Sequence, residues 1–250
     1  MTETILYALL GGLAPVAIWL YFWLKEDRVH PEPPRRIALV FIAGALAVVL
    51  AYALERLWCQ SSWFATACQN ISNPLNNQIG GSEKIVFILW SATEEILKLL
   101  AAYLMVFNHP DFNEPVDAMI YLITAALGFA ALENAFFLFD ILFQQPTGVG
   151  LTFLLTGNLR FLGANITHIV SSAVVGAMVG LSFCLSLGRR LVYALIGLIT
   201  ASLLHALFNL LIITSDGGQI FEVFSLLWLF AIFIILIFER VKQVVCKTNA

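Results

Sequence analysis

The sequence predicts an all-α, polytopic membrane protein with about seven transmembrane helices packed in one bundle. Of its 250 residues, 60% are hydrophobic and only 12% are charged, and the mean hydropathy is +0.90. Soluble globular domains contain about 45–50% apolar and about 25% charged residues. Apolar runs of about 20 residues, long enough to cross a hydrocarbon core of about 30 Å, recur along the chain. No internal repeat is found, so a single membrane domain is expected over residues 1–250.

The predicted spans are joined by polar connections. No basic segment precedes the first apolar run, so this run is expected to be a membrane helix and not a cleaved signal peptide. Pro31, Pro33 and Pro34 mark a stiff turn after it, and the loop at 59–83 is rich in Ser, Asn, Gln and Gly. The seven spans lie near 5–24, 37–57, 85–107, 117–139, 161–187, 191–213 and 220–238.

The basic residues predict how these helices cross the cell membrane. Because cytoplasmic loops carry an excess of Lys and Arg, the N-terminus of this multi-pass chain is expected outside and the C-terminus in the cytoplasm. No basic stripe suggests a nucleic-acid partner, and the lipid bilayer is the expected surrounding. Nine of the 13 basic residues fall on one side: Lys25, Arg28, Arg35, Arg36, Arg189, Arg190, Arg240, Lys242 and Lys247.

The four cysteines lack the CxxC spacing of a structural zinc site. Cys59 and Cys68 share the predicted outer loop, where they form either a disulfide or two free thiols. Cys184 lies about 16 residues, roughly 24 Å of helix, from His168, too far for a Cys–His catalytic pair. His30 and His109 fall in loops and are expected to be solvated and inert.

The third span carries Glu94, Glu95 and Lys98 near its centre, where a carboxylate costs roughly 2.5–3.5 kcal/mol to insert. Lys98 follows the two glutamates at i+4 and i+3 and so lies one helical turn beyond both. An ion pair that helps the helix to insert accounts for one glutamate only. Two adjacent carboxylates that share one ammonium are not easily both ionised, which supplies a candidate acid or base.

The fourth span carries Glu133 and Asn134 just after the small residues that begin at Gly128. Glu133 has no cation in its own helix, so its partner must come from another span or from water. Arg160, at the outer entrance of the fifth span, is the best candidate by depth.

Two histidines complete the set of intramembrane polar residues. His168 can share an interior face with Arg160, Asn165 and Ser172, and His205 stacks with Asn209 at i+4 in the sixth span. A single intramembrane histidine is often only a hydrogen bond between helices. Five ionisable groups on four helices at one level of the bilayer instead predict a functional site. These groups are Glu94, Glu95, Glu133, His168 and His205.

These motifs, in this order, resemble those of the PrsW family of intramembrane proteases, which looks related to the CAAX-processing and Abi membrane endopeptidases. The resemblance spans about residues 84–213. Two positions depart from the pattern: Lys98 stands where the related enzymes place an Arg at another spacing, and Phe137 stands where a Tyr is common. The matching runs are Glu94-Glu95-Ile96-Leu97-Lys98, Gly128-Phe129 with Glu133-Asn134, Arg160 with His168, and His205-Ala206-Leu207-Phe208-Asn209.

The resemblance implies hydrolysis of a peptide bond in a membrane-tethered protein, such as an anti-sigma factor or another regulator. The residues offer a glutamate-type mechanism consistent with this activity, which needs no cofactor and in which Glu94, by its match to the first of the paired glutamates, would act as general base on a water also held by His168. His205 and Asn209 would then stabilise the oxyanion, with Glu95 and Lys98 orienting the base. Glu133, Asn134 and Arg160 are expected to support the site or to bind the substrate.

Three alternatives remain at this point. The histidines and glutamates could bind Zn²⁺ in a metalloprotease, although no HExxH motif is present. They could form the relay of an ion- or proton-coupled transporter, although no pair of broken helices is found. A non-catalytic scaffold could use them only to lock helix packing. Oligomeric state cannot be read from the sequence.

Overall fold

The computed structural model describes residues 2–27, 30–72, 79–144, 163–214 and 219–246, and this part of the chain contains helices and no strands. A π-helical turn, Tyr103–Phe107, continues α4. The helices are α1 (Thr2–Glu26), α2 (Pro34–Gln60), α3 (Ala65–Ser72), α4 (Gly81–Ala102), α5 (Asp117–Gln144), α6 (Ala164–Leu181), α7 (Leu187–Thr214) and α8 (Ile220–Lys242).

The predicted all-α membrane fold is confirmed. Six of the described helices are long and apolar enough to cross a membrane, namely all except α3 and α4. Helix α4 has 22 residues, or roughly 33 Å, but carries three charged residues at its centre. Counting it gives the seven expected spans. Helix α3 is a short addition within the loop predicted at 59–83.

Helix α5 is the central helix of the bundle, and its contact with α2 is made at glycine residues of both helices. A Cβ added at Gly44 of α2 would lie 2.1 Å from the carbonyl oxygen of Ala125, and one at Gly128 of α5 would lie 2.0 Å from that of Phe41. Both are contacts with backbone atoms. The two helices therefore approach as closely as their backbones allow, as the small residues near Gly128 predicted.

Most of the basic residues described lie at one end of the bundle, which we call the basic end. It contains the α1–α2, α4–α5 and α6–α7 connections and the C-terminal end of α8. Arg36 joins two of these connections by donating to Asp111 at 2.8 Å. The other end, called the opposite end, contains the α2–α3 loop. The charge asymmetry is that of the predicted topology, and the orientation of the termini stays a prediction.

The largest apolar core extends over most of the depth of the bundle, from Val241 at the basic end to Ile166 and Val223 in the first turns of α6 and α8. It joins side chains of α1, α2, α5, α6 and α8, and many of them are fully inaccessible. Its members include Val16, Val40, Met119, Ile123, Val170 and Phe238.

Two disulfides lie at the two ends of the bundle. Cys59 and Cys68 are bridged at the opposite end, which selects one of the two states that the sequence left open. Cys184 and Cys246 are bridged at the basic end, and no sequence argument predicted this pair. Each Cα–Cα distance, 5.6 Å and 5.2 Å, suits a disulfide.

The loop histidines are not simply solvated. His30 pairs with Glu114 at 2.7 Å, and His109 lies 2.9 Å from Asp111 in a group with Arg36. Both side chains are exposed, by 66% and 38%, as expected of loop residues, and each also contacts an acidic residue of the α4–α5 connection. Neither histidine lies in the cluster described next.

Candidate active site

Lys98 is the centre of a buried cluster of charged side chains. Its ammonium donates to Glu95 Oε1 at 2.8 Å and to Glu94 Oε2 at 3.3 Å. The third contact of Nζ is Nδ1 of His168, at 2.8 Å, and the ring of Phe129 lies at a cation–π distance of 4.4 Å. An ammonium has three N–H donors, and here each has an acceptor. The lysine therefore contacts both glutamates, although its single positive charge balances only one of them, as the sequence indicated.

The Glu95 carboxylate is held on both oxygens. Oε1 accepts from Lys98 and lies 2.9 Å from Nδ1 of His205. Oε2 accepts the hydroxyl of Ser172 at 2.6 Å. Because the side chain is fully buried, no oxygen of Glu95 is left for a substrate. The geometry gives Glu95 a positioning role, namely to orient the imidazole of His205.

The two histidines face each other across the cluster, with ring centroids 4.9 Å apart. His168 Nδ1 lies 3.9 Å and His205 Nε2 lies 3.8 Å from Glu94 Oε2. The other nitrogen of each ring contacts a carboxylate: His205 Nδ1 meets Glu95, and His168 Nε2 lies 2.9 Å from Glu133 Oε2. A carboxylate fixes the imidazole proton on the nitrogen it contacts. The lone pair of His205 then lies on Nε2, on the side of Glu94, and that of His168 lies on Nδ1, where it accepts from Lys98.

Glu133 finds a partner on another helix, as expected, but the partner the structure describes is His168. The predicted partner Arg160 lies outside the described residues. Asn134 donates to the side-chain oxygen of Asn165 at 2.7 Å and so ties α5 to α6. This buried amide contact supports the site without lining it.

A cavity of about 690 Å³ gives access to the cluster. Its walls come from the last turns of α2 and α7 and the first turns of α6 and α8, so it opens toward the opposite end of the bundle. The Glu133 side chain is 24% exposed and that of Glu94 10%, whereas Lys98 is fully buried. Glu94 and Glu133 are therefore the carboxylates of the cluster that a substrate can reach. The polar lining is Glu55, Glu94, Glu133, Thr167, His168, His205 and Asn209.

Three side chains of the cluster fit a metal ion. One oxygen of Glu94 and one nitrogen each of His168 and His205 lie within 4.8 Å of one another. Two histidines and a glutamate, with a further position open, form a donor set of catalytic zinc sites. Carboxylates on the remote imidazole nitrogens, as here, orient metal-binding histidines. Two of these donors, Glu94 Oε2 and His168 Nδ1, also contact the ammonium of Lys98, so a cation of the chain itself already lies beside the set.

Two residues that the sequence argument did not single out belong to the site. Glu55 of α2 lines the cavity; as an acid among apolar residues it carried the same signal as Glu133, but its place near a helix end hid it. Phe129 covers the ammonium of Lys98, and an aromatic residue on an apolar helix carries no such signal. Ser172 was placed correctly on the face of His168.

Comparison with known proteins decides which class of membrane protein this site serves. A family model described as "PrsW family intramembrane metalloprotease" matches residues 32–237. The chain belongs to the PrsW family. It is therefore an intramembrane protease, and the family predicted from the motifs is confirmed. This assignment replaces the transporter and scaffold alternatives.

Individual PrsW proteins match along most of their length. Protease PrsW of Geobacillus kaustophilus is 26% identical over 236 residues, which cover 93% of this chain and 90% of the relative. Protease PrsW of Bacillus subtilis is 27% identical over 207 residues, 81% of each chain. Protease PrsW of Clostridioides difficile is 24% identical and covers 80% of this chain and 77% of its own length. No solved structure gives a significant match.

Proposed function

We propose that this PrsW-family protease hydrolyses a peptide bond of a membrane-tethered protein at the cluster of Glu94, His168 and His205, with a metal ion held by these three side chains. The observation that carries the proposal is the placement of the two imidazoles. Their near nitrogens face Glu94, and their remote nitrogens contact Glu95 and Glu133. A zinc ion in such a site supplies an activated water and polarises the substrate carbonyl.

Side chains of the cavity would transfer the proton and stabilise the oxyanion. Hydrolysis forms a carbon–oxygen bond, breaks the carbon–nitrogen bond and moves one proton from water to the leaving amine. Glu133 would carry that proton; in support, its side chain lines the cavity and its Oε2 contacts His168 Nε2. The amide of Asn209, one turn after His205 and also in the cavity wall, is placed to donate to the developing oxyanion.

The metal-free mechanism is a second candidate, and a specific contact favours it. Lys98 Nζ lies 2.8 Å from His168 Nδ1, the nitrogen that a metal would need. With Lys98 as the only cation, Glu94 would take the proton of a water shared with His168. His205 and Asn209 would then stabilise the oxyanion, and the proton would pass from Glu94 to the leaving amine. Both mechanisms hydrolyse the same bond and differ in the base.

The cavity suits a segment of a single-span membrane protein. Its polar wall is narrow, and much of the rest is apolar, with Phe137, Ile141 and Ile213 among the lining residues. Membrane-tethered regulators such as anti-sigma factors are the substrate class that the family resemblance implies. The peptide would enter from the opposite end, where the cavity opens, and would have to be extended locally to present a carbonyl to Glu94.

The test is cleavage of candidate single-span proteins by the purified enzyme in lipid nanodiscs. Glu94→Gln and His205→Ala are expected to abolish cleavage while the protein stays folded, and His30→Ala, a histidine of the basic end, is expected to retain it. Elemental analysis gives the metal content of each variant. Bound zinc and loss of activity with a chelator support the metal mechanism, whereas full activity of zinc-free protein supports the glutamate mechanism. Unchanged cleavage by both site variants refutes this assignment of the site.

A further inference from the structure

Glu55 brings a third carboxylate into the cavity. It lies in α2 less than two turns before the helix ends at Gln60, is partly buried, and lines the cavity together with Glu94 and Glu133. It interacts electrostatically with Glu94, Glu133 and Lys98. Unlike the other two, it contacts no cation or imidazole among the described residues.

A carboxylate in apolar surroundings is costly unless a charge or a donor compensates it. Lys98 compensates Glu94, and His168 contacts Glu133. No lysine or arginine occurs among the described residues that line the cavity. The wall on the α2 side thus presents the carboxyl group of Glu55 next to Val48 and Ala51, toward the opposite end and without a basic partner among the described residues. Such a wall favours a ligand that carries its own cation.

Given the proposed function, on which this step rests, we propose that Glu55 binds a lysine or arginine side chain of the substrate near the scissile bond. The protease then selects membrane proteins with a basic residue where their span leaves the bilayer at the opposite end. If that end faces outward, basic residues there are scarce in membrane proteins, since Lys and Arg concentrate in cytoplasmic loops. One such contact therefore separates a substrate from most other single-span proteins.

The experiment compares single-span substrates that differ only in having Lys, Gln or Glu beside the scissile bond. For the wild type we expect kcat/KM to be about tenfold higher with Lys than with Gln. In Glu55→Gln the ratio is expected to fall close to one, and in Glu55→Lys the preference should pass to the Glu substrate. Glu222→Gln is the matched control, because Glu222 is an exposed acid of α8 at the same end and does not line the cavity.

Binding of the same labelled substrates, measured in parallel, gives the Lys/Gln ratio without cleavage. The inference is overturned if the wild type binds the Lys and Gln substrates equally well, or if the Lys/Gln binding ratio is the same in wild type and Glu55→Gln. This holds even if every substrate is cleaved. A tenfold ratio in binding that depends on Glu55, with no cleavage of any substrate, supports the inference and refutes the proposed function. The two failures are thereby distinguished.

Discussion

Replacement of Lys98 by methionine tests the electrostatic centre of the site. The ammonium is fully buried and serves Glu94, Glu95 and His168, so the substitution leaves two buried carboxylates without their cation. Removing one partner of a buried ion pair costs about 3–5 kcal/mol. For a chain of this size that lowers the melting temperature by roughly 6–20 °C. Methionine keeps most of the side-chain volume, so the loss reports charge and not a cavity.

The assay is thermal unfolding of purified protein in nanodiscs, without metal and with added zinc. In Lys98→Met, a metal ion bound by Glu94, His168 and His205 would be the remaining cation of the cluster. At a free metal concentration one hundred times its Kd, it would restore about 2.7 kcal/mol of the free energy of unfolding. Lys84→Met is the matched control, an exposed lysine in the first turn of the same helix, for which we expect less than about 0.5 kcal/mol. Equal melting of Lys98→Met and wild type without metal would refute the claim that this ammonium neutralises the cluster.

Three further outcomes follow from other parts of the bundle. Gly128→Ala should lower the free energy of unfolding by about 1–3 kcal/mol and reduce the amount of folded protein in membranes, because the added Cβ would lie 2.0 Å from a backbone carbonyl oxygen. Gly188→Ala is the control and should leave both unchanged, because a Cβ there has no atom within 4 Å. Burial, with a smaller contribution from Asp117, raises the pKa of Glu32 in the α1–α2 loop from 4.5 to about 8. Between these two values the folded state holds a proton that the unfolded state has lost, so the free energy of unfolding should fall as the pH rises from about 4.5 to 8. In unfolding measurements Glu32→Gln should flatten this pH dependence. The same slope in Glu32→Gln and wild type would contradict the assignment to Glu32. In cells whose cytoplasm faces the basic end, a reducing environment should open the Cys184–Cys246 disulfide of that end to two thiols. A maleimide should then label Cys184 and Cys246 but not Cys59 and Cys68, and the reverse pattern would invert the predicted topology.

The helices could be predicted well because a long apolar run has one stable solution in a bilayer. The main departure is α6, predicted over 161–187 but ending at Leu181. There the chain turns, the Ser182 amide caps the helix by bonding to Met178 and Val179, and Phe183 packs on Phe112. The predicted helix was too long because the residues after the turn are also apolar. Composition alone does not distinguish the end of a helix from a loop that packs against the protein.

The site was predictable where spacing within one helix decides the contact. The i+3 and i+4 offsets place Lys98 beside both glutamates, and no knowledge of the other helices is needed. Contacts between helices depend on rotation and depth, which the sequence does not give. Depth suggested Arg160 for Glu133, a pairing that lies outside the described residues, but it did not indicate the contact of Glu133 with His168. The choice of a metal-free over a metal-dependent mechanism likewise depends on which imidazole nitrogen faces Glu94, a tertiary feature.

The apolar core between the basic end and the cavity has a bioenergetic consequence. A water-filled site that reaches the middle of a membrane is a potential leak for protons. Here the described walls of the cavity lie toward the opposite end, and between the cavity and the basic end lie core side chains such as Met119, Ile123 and Val170, which are fully inaccessible. Water has no place among such side chains. These side chains would block the passage of protons between the basic end and the cavity, so that hydrolysis at the proposed site need not dissipate a membrane potential.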